Sequence, residues 1–526
     1  MARRKYPVGI QTFSEIIRNG YVYVDKTDLM WHMQDGRKYI FLSRPRRFGK
    51  SLLSSTLHAF FAGERELFQG LKVMQLETEW KQYPVIHLDL SVAKHQSSAQ
   101  AVQQRLCLLM KPYQELYGTD RDEVTPGAVI AGLIARAHKL TGRQVVVIID
   151  EYDAPLHDKM QDDLTLDPIR EVLQEFFIPL KACEPLIKFC FITGITKFSQ
   201  LSIFSTINNL TNISMWPQFA TICGVTEREL DTVMSPDIEL LALANGCSTD
   251  QMRQELKSYY DGYHFAEDSD EVYNPFSLLK AFDSGKVTFN WFDSGTPTFL
   301  IRMMKHFGTD ITAIEPLEVP VTAFDKSTDE MDSALPLLYQ TGYLTIKGYD
   351  KLTQTYTLSI PNQEVRVGFT RGLLSPYSGL SDSQVQTGFA LKFWRALRQA
   401  DIDLALREMQ TYLAGIPYVE GFKAKLAQAA TAEGFYEYTM YLIFSMLNVY
   451  ARTQVKCAGG RIDMVVQLPG TTYVFEFKVG GTAQQALAQI DAKGYALPYR
   501  STGRKVVKVG VTFDPATRIP TSWATA

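Results

Sequence analysis

The chain has 526 residues, of which 46% are hydrophobic and 21% are charged. This length exceeds what a single hydrophobic core usually supports, so we predict several domains. The formal net charge of -3 excludes a protein that is basic as a whole, and any surface for nucleic acid must therefore be a local patch. The six cysteines have no CxxC or Cys/His spacing, which argues against a disulfide framework and a zinc site.

The sequence contains no stretch that approaches the roughly 18 apolar residues of a membrane span. The basic start, Met1-Ala-Arg-Arg-Lys5, is not followed by the apolar segment of a secretion signal. We therefore expect a cytoplasmic protein without a membrane partner.

Short β-rich runs alternate with helical segments in residues 1–230. The runs are Tyr39–Leu42, Val85–Leu90, Val145–Ile149, Phe189–Ile192 and Ala220–Val225. Such alternation is typical of a parallel α/β sheet with helices on its faces. We assign these residues to a first, α/β domain.

Helical periodicity dominates residues 231–380. The segment Thr226-Glu-Arg-Glu229 predicts a capping box that opens a helix. Only short strands, such as Tyr343–Ile346 and Thr355–Ser359, interrupt the helices that follow. We interpret this region as a helical lid or connector.

Residues 381–526 predict a third domain with the element order αβββαβ. An apolar helix at Glu433–Val449 precedes three strand-like runs, a helix at Ala483–Tyr495 and a last strand at Val506–Phe513.

The segment Arg44-Pro-Arg-Arg-Phe-Gly-Lys-Ser51 lies between a predicted strand and a predicted helix. Backbone N–H groups in such a loop, together with the helix N-terminus, bind phosphate. Lys50 would contact the β- and γ-phosphates of ATP, and Ser51 would bind Mg²⁺. Arg44 replaces the first glycine of G-x4-G-K-[ST], so the loop alone also fits a charged surface turn. The candidate nucleotide-binding residues here are Arg44, Pro45, Arg46, Arg47, Phe48, Gly49, Lys50, Ser51 and Leu52.

The apolar strand Gln144–Asp150 ends in two adjacent carboxylates. We predict a Walker B motif in which Asp150 holds the magnesium shell and Glu151 polarises the attacking water as general base. A strand that merely ends in an acidic turn is the alternative, which the Gly-Lys-Ser loop upstream disfavours. Asp153 fits either a second magnesium-shell group or a helix cap.

A further strand, Lys188–Thr193, leads into a polar loop. In a sheet of the ASCE type this strand would end beside Asp150. The loop would then supply residues that sense the γ-phosphate, and ordinary loop polarity is the alternative. The candidates are Thr193, Thr196 and Lys197.

Eight short motifs are spread along the chain. They are Tyr23–Thr27, Arg44–Ser51, Asp150–Asp153, Thr193–Ser199, Tyr260–Tyr263, Tyr273–Pro275, Thr341–Leu344 and Pro361–Val365. Together they resemble the bacterial AAA-ATPase-like family, whose own P-loop reads RPRRFGKS. The resemblance implies a P-loop ATPase of the ASCE/STAND type, a winged-helix-like middle segment and a C-terminal PD-(D/E)XK nuclease domain. It also implies that Gln11–Asp28 flanks the adenine base, for which a plain surface helix and strand is the alternative.

Two strand-like runs, Arg461–Val466 and Tyr473–Val479, predict a hairpin. Strand alternation puts Glu476 and Lys478 on one face, with Asp463 on the partner strand. Two carboxylates that share a divalent metal, with an ammonium beside them, are what metal-assisted phosphodiester hydrolysis needs. An amphipathic strand with a solvated ion pair is the alternative.

The resemblance to the nuclease superfamily adds residues from two helices. It implies a further carboxylate, for which we favour Glu433 over Glu437, and a role for Gln489 on the following helix. The candidate metal ligands of the whole chain are therefore Ser51, Asp150, Glu433, Asp463 and Glu476.

The leading hypothesis is a P-loop ATPase, with ATP and Mg²⁺ as cofactors, coupled to a metal-dependent nuclease. We expect the C-terminal domain to bind nucleic acid, in the first place DNA, in defence or in the handling of mobile elements. The alternative is a STAND-type signalling switch whose nuclease fold serves as a binding module. A homo-oligomer is left open.

Overall fold

The computed structural model divides into two compact units. The first comprises Met1–Asp293, Arg302–Phe307 and Pro316–Asn362, and the second comprises Ser294–Ile301, Gly308–Glu315 and Gln363–Ala526. The predicted division into domains at 230 and 380 stays a prediction. The structure describes residues 4–156, 163–196, 209–291, 300, 303–304, 306–307, 309, 317–324, 333–369, 389, 392–393, 395–414, 450–457, 460–468, 470–515 and 519–526.

A five-stranded parallel sheet lies at the centre of the first unit. Its strands are β1 (Tyr39–Ser43), β2 (Val85–Asp89), β3 (Val145–Asp150), β4 (Ile187–Gly194) and β5 (Thr211–Asn212). They pair in the order β2-β3-β4-β1-β5. Because β4 lies between β1 and β3, the order is that of the ASCE ATPases, and the predicted α/β fold is confirmed.

Two helices precede the first strand of this sheet along the chain, and further helices follow β1, β2 and β3. They are α1 (Phe13–Arg18), α2 (Thr27–Met33), α3 (Lys50–Phe61), α4 (Ala99–Leu109), α5 (Lys111–Tyr117), α6 (Pro126–Thr141) and α7 (Asp163–Ala182). The apolar sides of α4, α6 and α7 bury Val145, Val147 and Ile149 of β3 in one core. Since the side chains of these helices hold β3 rigidly, the acidic end of that strand has a fixed position.

The remainder of the first unit is mostly helical. Its elements are β6 (Val225–Thr226), α8 (Glu227–Asn245), α9 (Thr249–Tyr260), β7 (Val272–Tyr273), α10 (Pro275–Ser284), β8 (Leu317–Pro320), α11 (Leu335–Gln340), β9 (Thr345–Asp350) and β10 (Thr355–Ser359). The capping box of Thr226 and Glu229 is confirmed at the start of α8. Strands β8, β10 and β9 form an antiparallel sheet, whose likeness to a winged helix stays a prediction.

Of the predicted strand Ala220–Val225 only Val225 lies in a strand, the short β6, which belongs to another sheet. The prediction is therefore wrong for the parallel sheet, whose fifth strand is β5. The carbonyl groups of Phe219 and Ala220 accept hydrogen bonds from the guanidinium of Arg44 and not from a neighbouring strand. The apolar residues that follow line a cavity beside α3, which explains their burial without a place in the sheet.

The second unit contains a five-stranded mixed sheet. Its elements are α12 (Ile402–Ala414), β11 (Tyr450–Cys457), β12 (Gly460–Leu468), β13 (Thr471–Val479), α13 (Ala483–Ala492), β14 (Lys505–Phe513) and β15 (Pro520–Thr525). The strands pair in sequence order, and only β13 and β14 are parallel, so α13 forms the crossover between them. The sequence did not predict β15.

Both faces of this mixed sheet are covered. Tyr473, Phe475 and Phe477 pack into the core that contains α12, whereas Val474 packs with Ile490 of α13. The predicted alternation along β13 is therefore confirmed. The predicted helix Glu433–Val449 lies outside the described residues. Among the residues that are described, no helix has the length and apolar composition needed to cross a membrane.

Candidate functional site

The loop between β1 and α3 has a P-loop path. Gly49, the residue before the first turn of α3, has a φ of 93°, and Arg47 has a φ of 64°. A left-handed glycine lets the chain turn sharply into the helix without a steric penalty. The turn leaves the N-terminus of α3, which starts at Lys50, at the carboxyl edge of the sheet, where an anion is favoured.

The ammonium of Lys50 lies inside this loop. The residue is 6% exposed, and its Nζ donates to the carbonyl oxygens of Arg44 at 2.9 Å and Pro45 at 3.0 Å. Burial lowers the pKa of Lys50, and the carboxylates of Asp150 and Glu151 oppose that shift. The two carbonyls thus hold a cation that a phosphate group would attract.

Asp150 lies close to Ser51, whose hydroxyl helps to lower the pKa of that carboxyl. Burial raises the pKa of Asp150 to about 6, against the opposing effects of Ser51 and Lys50. Asp89, the last residue of β2, is the partner of Asp150 in the sheet register, and its charge contributes to this raised pKa. Asp89 is not among the predicted site residues, although its position at a strand end was a usable signal. A buried carboxylate beside a hydroxyl suits a hydrated Mg²⁺.

Glu151 has a strained backbone. Its φ of 47° is in the left-handed region, which is uncommon for a residue other than glycine. Its N–H donates to Asp150 Oδ1 at 2.9 Å, and the N–H of Tyr152 donates to the carbonyl of Thr193 at 3.1 Å. These bonds hold the strained conformation, which is common at functional sites.

The side chain of Arg44 does not face the phosphate site. It is 1% exposed, and its guanidinium donates to the carbonyl oxygens of Ser43, Ser214, Phe219 and Ala220. Four carbonyl acceptors compensate for the burial of the charge. The backbone of Arg44 is engaged as well, since its N–H donates to the carbonyl of Gly194 at 3.2 Å and its carbonyl accepts from Lys50.

The other predicted P-loop residues divide by environment. Arg47 donates to the carbonyl of Asn290, and the carbonyl of Arg46 accepts a hydrogen bond from Trp291. Phe48 is buried, and Leu52 lines the cavity beside α3.

The hydroxyls predicted to sense phosphate are engaged elsewhere. Thr193 donates to the carbonyl of Leu42 at 2.7 Å, and Thr196 donates to Asp153 Oδ2 at 2.6 Å. Asp153, which is fully buried, also accepts from the backbone N–H groups of Ile195 and Thr196. Asp153 therefore anchors the end of β4, and these contacts correspond to neither predicted role, the magnesium-shell group or the helix cap. Lys197 lies outside the described residues.

A cavity of about 90 Å³ adjoins the P-loop along α3. Its walls are mostly apolar, with the ammonium of Lys26 and the hydroxyls of Tyr23 and Thr56 as polar exceptions. The lining residues are Pro7, Val22, Tyr23, Val24, Lys26, Met30, Phe48, Gly49, Leu52, Leu53, Thr56, Ile222, Cys223, Gly224, Val225, Met234, Pro275 and Leu279. Part of the wall comes from the segment Gln11–Asp28. The contribution of residues 222–225 could not be predicted, because they were assigned to a strand.

In the second unit, Asp463 and Glu476 meet where the β12–β13 ladder ends. The last residue pair of this ladder is Met464 and Phe475. Beyond it, Asp463 Oδ2 accepts a hydrogen bond from the backbone N–H of Phe477 at 2.7 Å. Burial and, to a smaller extent, the nearby Asp463 carboxylate raise the pKa of Glu476 to about 7 against the opposing effect of Lys478. The two carboxylates are close enough for each to disfavour the charge of the other.

The ammonium of Lys478 completes this group. Its Nζ lies 3.3 Å from Glu476 Oε1 and 2.7 Å from Gln489 Oε1 on α13. Gly510 of β14 is the register partner of Glu476. It permits α13 to lie close to the sheet, because a β-carbon on it would stand 2.4 Å from the carbonyl oxygen of Ala483 in α13. The predicted convergence of Asp463, Glu476 and Lys478 is therefore what the fold produces.

Comparison with known proteins agrees with the two predicted domains. A family model described as a predicted AAA-ATPase matches residues 7–204. The chain belongs to the AAA-ATPase-like family. A model of the PD-(D/E)XK nuclease superfamily matches residues 431–523. An uncharacterized protein in the vnfD 5' region of Azotobacter chroococcum mcd 1 is 33% identical to this chain over 529 residues, which cover 98% of each chain.

The carboxylates of the nuclease-like domain fit a divalent metal. Glu476 is 1% exposed, and its Oε2 has no hydrogen-bond partner among the described residues. A buried carboxylate oxygen without a donor is costly unless a cation binds it. Within the described part of the chain, no three His, Cys, Asp or Glu side chains converge on one point. Glu433, predicted as an additional ligand, lies outside the described residues.

Proposed function

We propose that the chain hydrolyses ATP at the P-loop and uses the nucleotide to control a divalent-metal-dependent nuclease in its C-terminal domain. The observation that supports the proposal is the presence of two groups of charged and polar side chains, one in each unit. One consists of Lys50, Ser51 and Asp150 at the edge of the parallel sheet. The other consists of the carboxylates of Asp463 and Glu476.

In the ATPase-like domain the side chains at the phosphate site have different tasks. Ser51 and Asp150 would hold Mg²⁺, which neutralises charge on the β- and γ-phosphates. Lys50 would exchange the loop carbonyls for phosphate oxygens, which are the stronger acceptors because they are charged. Glu151, fixed in a left-handed conformation, would accept a proton from the attacking water.

The cavity along α3 supports a nucleotide rather than a bare phosphate as ligand. Its apolar wall begins at Gly49, immediately beside the predicted phosphate site, and suits a planar base. Lys26 is the ammonium in that wall, and its Nζ donates to Glu229 Oε2 at 2.6 Å. One of its three N–H groups is thereby used, and a ring nitrogen of the base could accept another.

In the nuclease-like domain, Asp463 and Glu476 would hold a divalent ion, which acts as a Lewis acid on the phosphodiester. Lys478 would stabilise the negative charge that develops on phosphate. Residues 450–526 contain ten Lys or Arg and four Asp or Glu, so this part of the chain is basic although the whole chain is acidic. That local excess of positive charge supports nucleic acid, and DNA in the first place, as the partner.

The direct test is cleavage of plasmid, single-stranded DNA and RNA with Mg²⁺ or Mn²⁺, with and without ATP. The proposal expects metal-dependent cleavage at a rate that ATP changes. A signalling switch with a binding module predicts ATP binding, nucleic-acid binding and no cleavage under any of these conditions. That result would favour the binding module over the nuclease as the role of the C-terminal domain. It would not contradict the proposed ATPase site. A role in defence or in handling mobile elements is a further step of the proposal, which cleavage of foreign DNA in cells would support.

A further inference from the structure

Three of the sequence motifs have no part in either site: Tyr260–Tyr263, Thr341–Leu344 and Pro361–Val365. We infer that they transmit the nucleotide state of the P-loop to the junction between the two units, with Tyr263 and Asn362 as positioning residues. The inference rests on the proposed binding of ATP. It does not require that the C-terminal domain cleaves nucleic acid.

The first step is the packing of an aromatic pair on the P-loop. The ring centroid of Phe48 lies 4.6 Å from that of Tyr263 and 5.3 Å from that of Phe265, edge to face in both cases. The guanidinium of Arg44 lies 4.3 Å from the centroid of Phe265. Phe48 and Tyr263 are each 1% exposed, so neither ring can move without displacing the other.

A second contact reaches the loop from the Thr341–Leu344 motif. Gly342 has a φ of 87°, and a β-carbon there would stand 2.8 Å from Pro45 Cβ and 3.4 Å from Tyr263 Cε1. Only glycine permits the backbone to approach Pro45 this closely. Pro45 is also one of the residues whose carbonyl binds Lys50, so the lysine site and the motif share one residue of the loop.

The next step leads from Tyr263 to the end of the first unit. Gly262 lies against Pro361, since a β-carbon on it would stand 2.3 Å from the Pro361 carbonyl oxygen. The side-chain amide of Asn362 donates to the carbonyl of Asp261 at 2.7 Å in a buried setting. Asn362 is the last residue of the first unit, and the chain enters the second unit at the next residue.

The displacement that starts this transmission follows from Lys50. Phosphate binding would take the ammonium away from the carbonyls of Arg44 and Pro45, which would then need new partners. A shift of that part of the loop presses on Gly342 and on the Phe48–Tyr263 pair. Close-packed groups transmit such shifts in discrete steps and do not absorb them.

Hydrogen–deuterium exchange of the full chain, with and without a non-hydrolysable ATP analogue and Mg²⁺, tests the inference. Peptides covering residues 44–52, 260–266 and 361–366 should all change exchange on binding. In Asn362→Ala, peptides 44–52 and 260–266 should still change exchange and peptide 361–366 should not. The kcat for ATP hydrolysis should stay unchanged in this variant. Asn245→Ala is the matched control, because its side-chain amide also donates to a carbonyl far along the chain, that of Gly285, and it should behave like the parent.

Tyr263→Leu provides a second variant that retains apolar bulk. In this variant, binding of the ATP analogue should change exchange in peptide 44–52 but not in peptides 260–266 and 361–366. The inference would be overturned if, in the parental protein, ATP-analogue binding changed exchange in peptide 44–52 and not in peptide 361–366. It would also be overturned if peptide 361–366 responded as strongly in both variants as in the parent. Absence of any response at 44–52 would instead refute the proposed ATP site. If the parental protein cleaves nucleic acid, its cleavage rates with and without ATP should differ by roughly 5-fold or more. In Asn362→Ala the ratio of these two rates should be about one.

Discussion

Gly194 lies directly against Asp153: a β-carbon on Gly194 would stand 2.5 Å from Asp153 Oδ1 and 2.6 Å from Tyr152 Cδ1. Asp153 in turn accepts the hydroxyl and the N–H of Thr196. The end of β4 is thereby fixed to the segment that follows Asp150. This contact determines where the backbone of Glu151 lies, since that residue precedes Tyr152 directly.

Gly194→Ala should destabilise the protein and lower ATP turnover. The added methyl group has no space, and overpacking of this kind costs roughly 1–3 kcal/mol. The midpoint of urea unfolding and kcat would measure the two effects. Gly348→Ala is the control, because a β-carbon there meets its nearest neighbour only at 3.7 Å. Equal midpoints for the two variants would contradict the assigned contact.

Lys50→Ala should abolish ATP turnover and weaken nucleotide binding, because the β- and γ-phosphates lose their principal counter-ion in the loop. Thermal stability without nucleotide should change little. Lys139→Ala, at an exposed position on α6, is the control and should retain the parental rate. Parental hydrolysis by Lys50→Ala would exclude the loop as the site of phosphate binding.

Glu151→Gln should retain ATP and slow its hydrolysis by on the order of 10²–10⁴-fold, because an amide cannot accept the proton of the attacking water. Equilibrium binding of ATP and single-turnover rates separate the two effects. Loss of affinity at an unchanged rate would assign Glu151 to the magnesium shell instead.

Much of the fold could be predicted because its signals are local. The apolar run before Asp150 predicted a strand that the structure confirms, and the alternation along Tyr473–Val479 predicted both faces of β13 correctly. In each case the burial of a side chain follows from its position in one short segment.

Contacts between distant segments could not be predicted. The burial of Arg44 depends on carbonyls of Ser214 and Phe219, which lie 170 and 175 positions further along the chain. The segment Ala220–Val225 has the composition of a strand, but its apolar side chains are buried against the cavity wall. Composition indicates that such residues are buried and does not specify what covers them.

Glu476→Gln should stabilise the metal-free protein at high pH. The pKa of Glu476 in the folded protein, about 7, is above the ordinary value for glutamate, so its charge opposes folding. That cost begins as the pH rises above about 4.3 and is complete above about 7. Melting temperatures in EDTA should therefore differ by a few degrees at about pH 8 and by less at about pH 5.5. Asp491→Asn, an exposed carboxylate on α13, should show no such gain.

Glu476→Ala and Lys478→Ala should both impair cleavage of nucleic acid, for different reasons. The first removes a carboxylate that would bind the metal, and the second removes an ammonium that stabilises transition-state charge without binding it. ATP turnover should persist in both, because these residues belong to the second unit and the P-loop belongs to the first.

Calorimetric titration with Mn²⁺ separates the two roles. Lys478→Ala should bind the metal with parental affinity, and Glu476→Ala should bind it more weakly, since one of two buried carboxylates is lost. Neither change should unfold the domain, because both variants retain Tyr473, Phe475 and Phe477, which pack into the core on the opposite face of β13. Equal affinity in all three proteins, with metal-dependent cleavage persisting in Glu476→Ala, would refute this assignment of the nuclease site. The domain would then be better explained as a module that binds nucleic acid through its excess of basic residues.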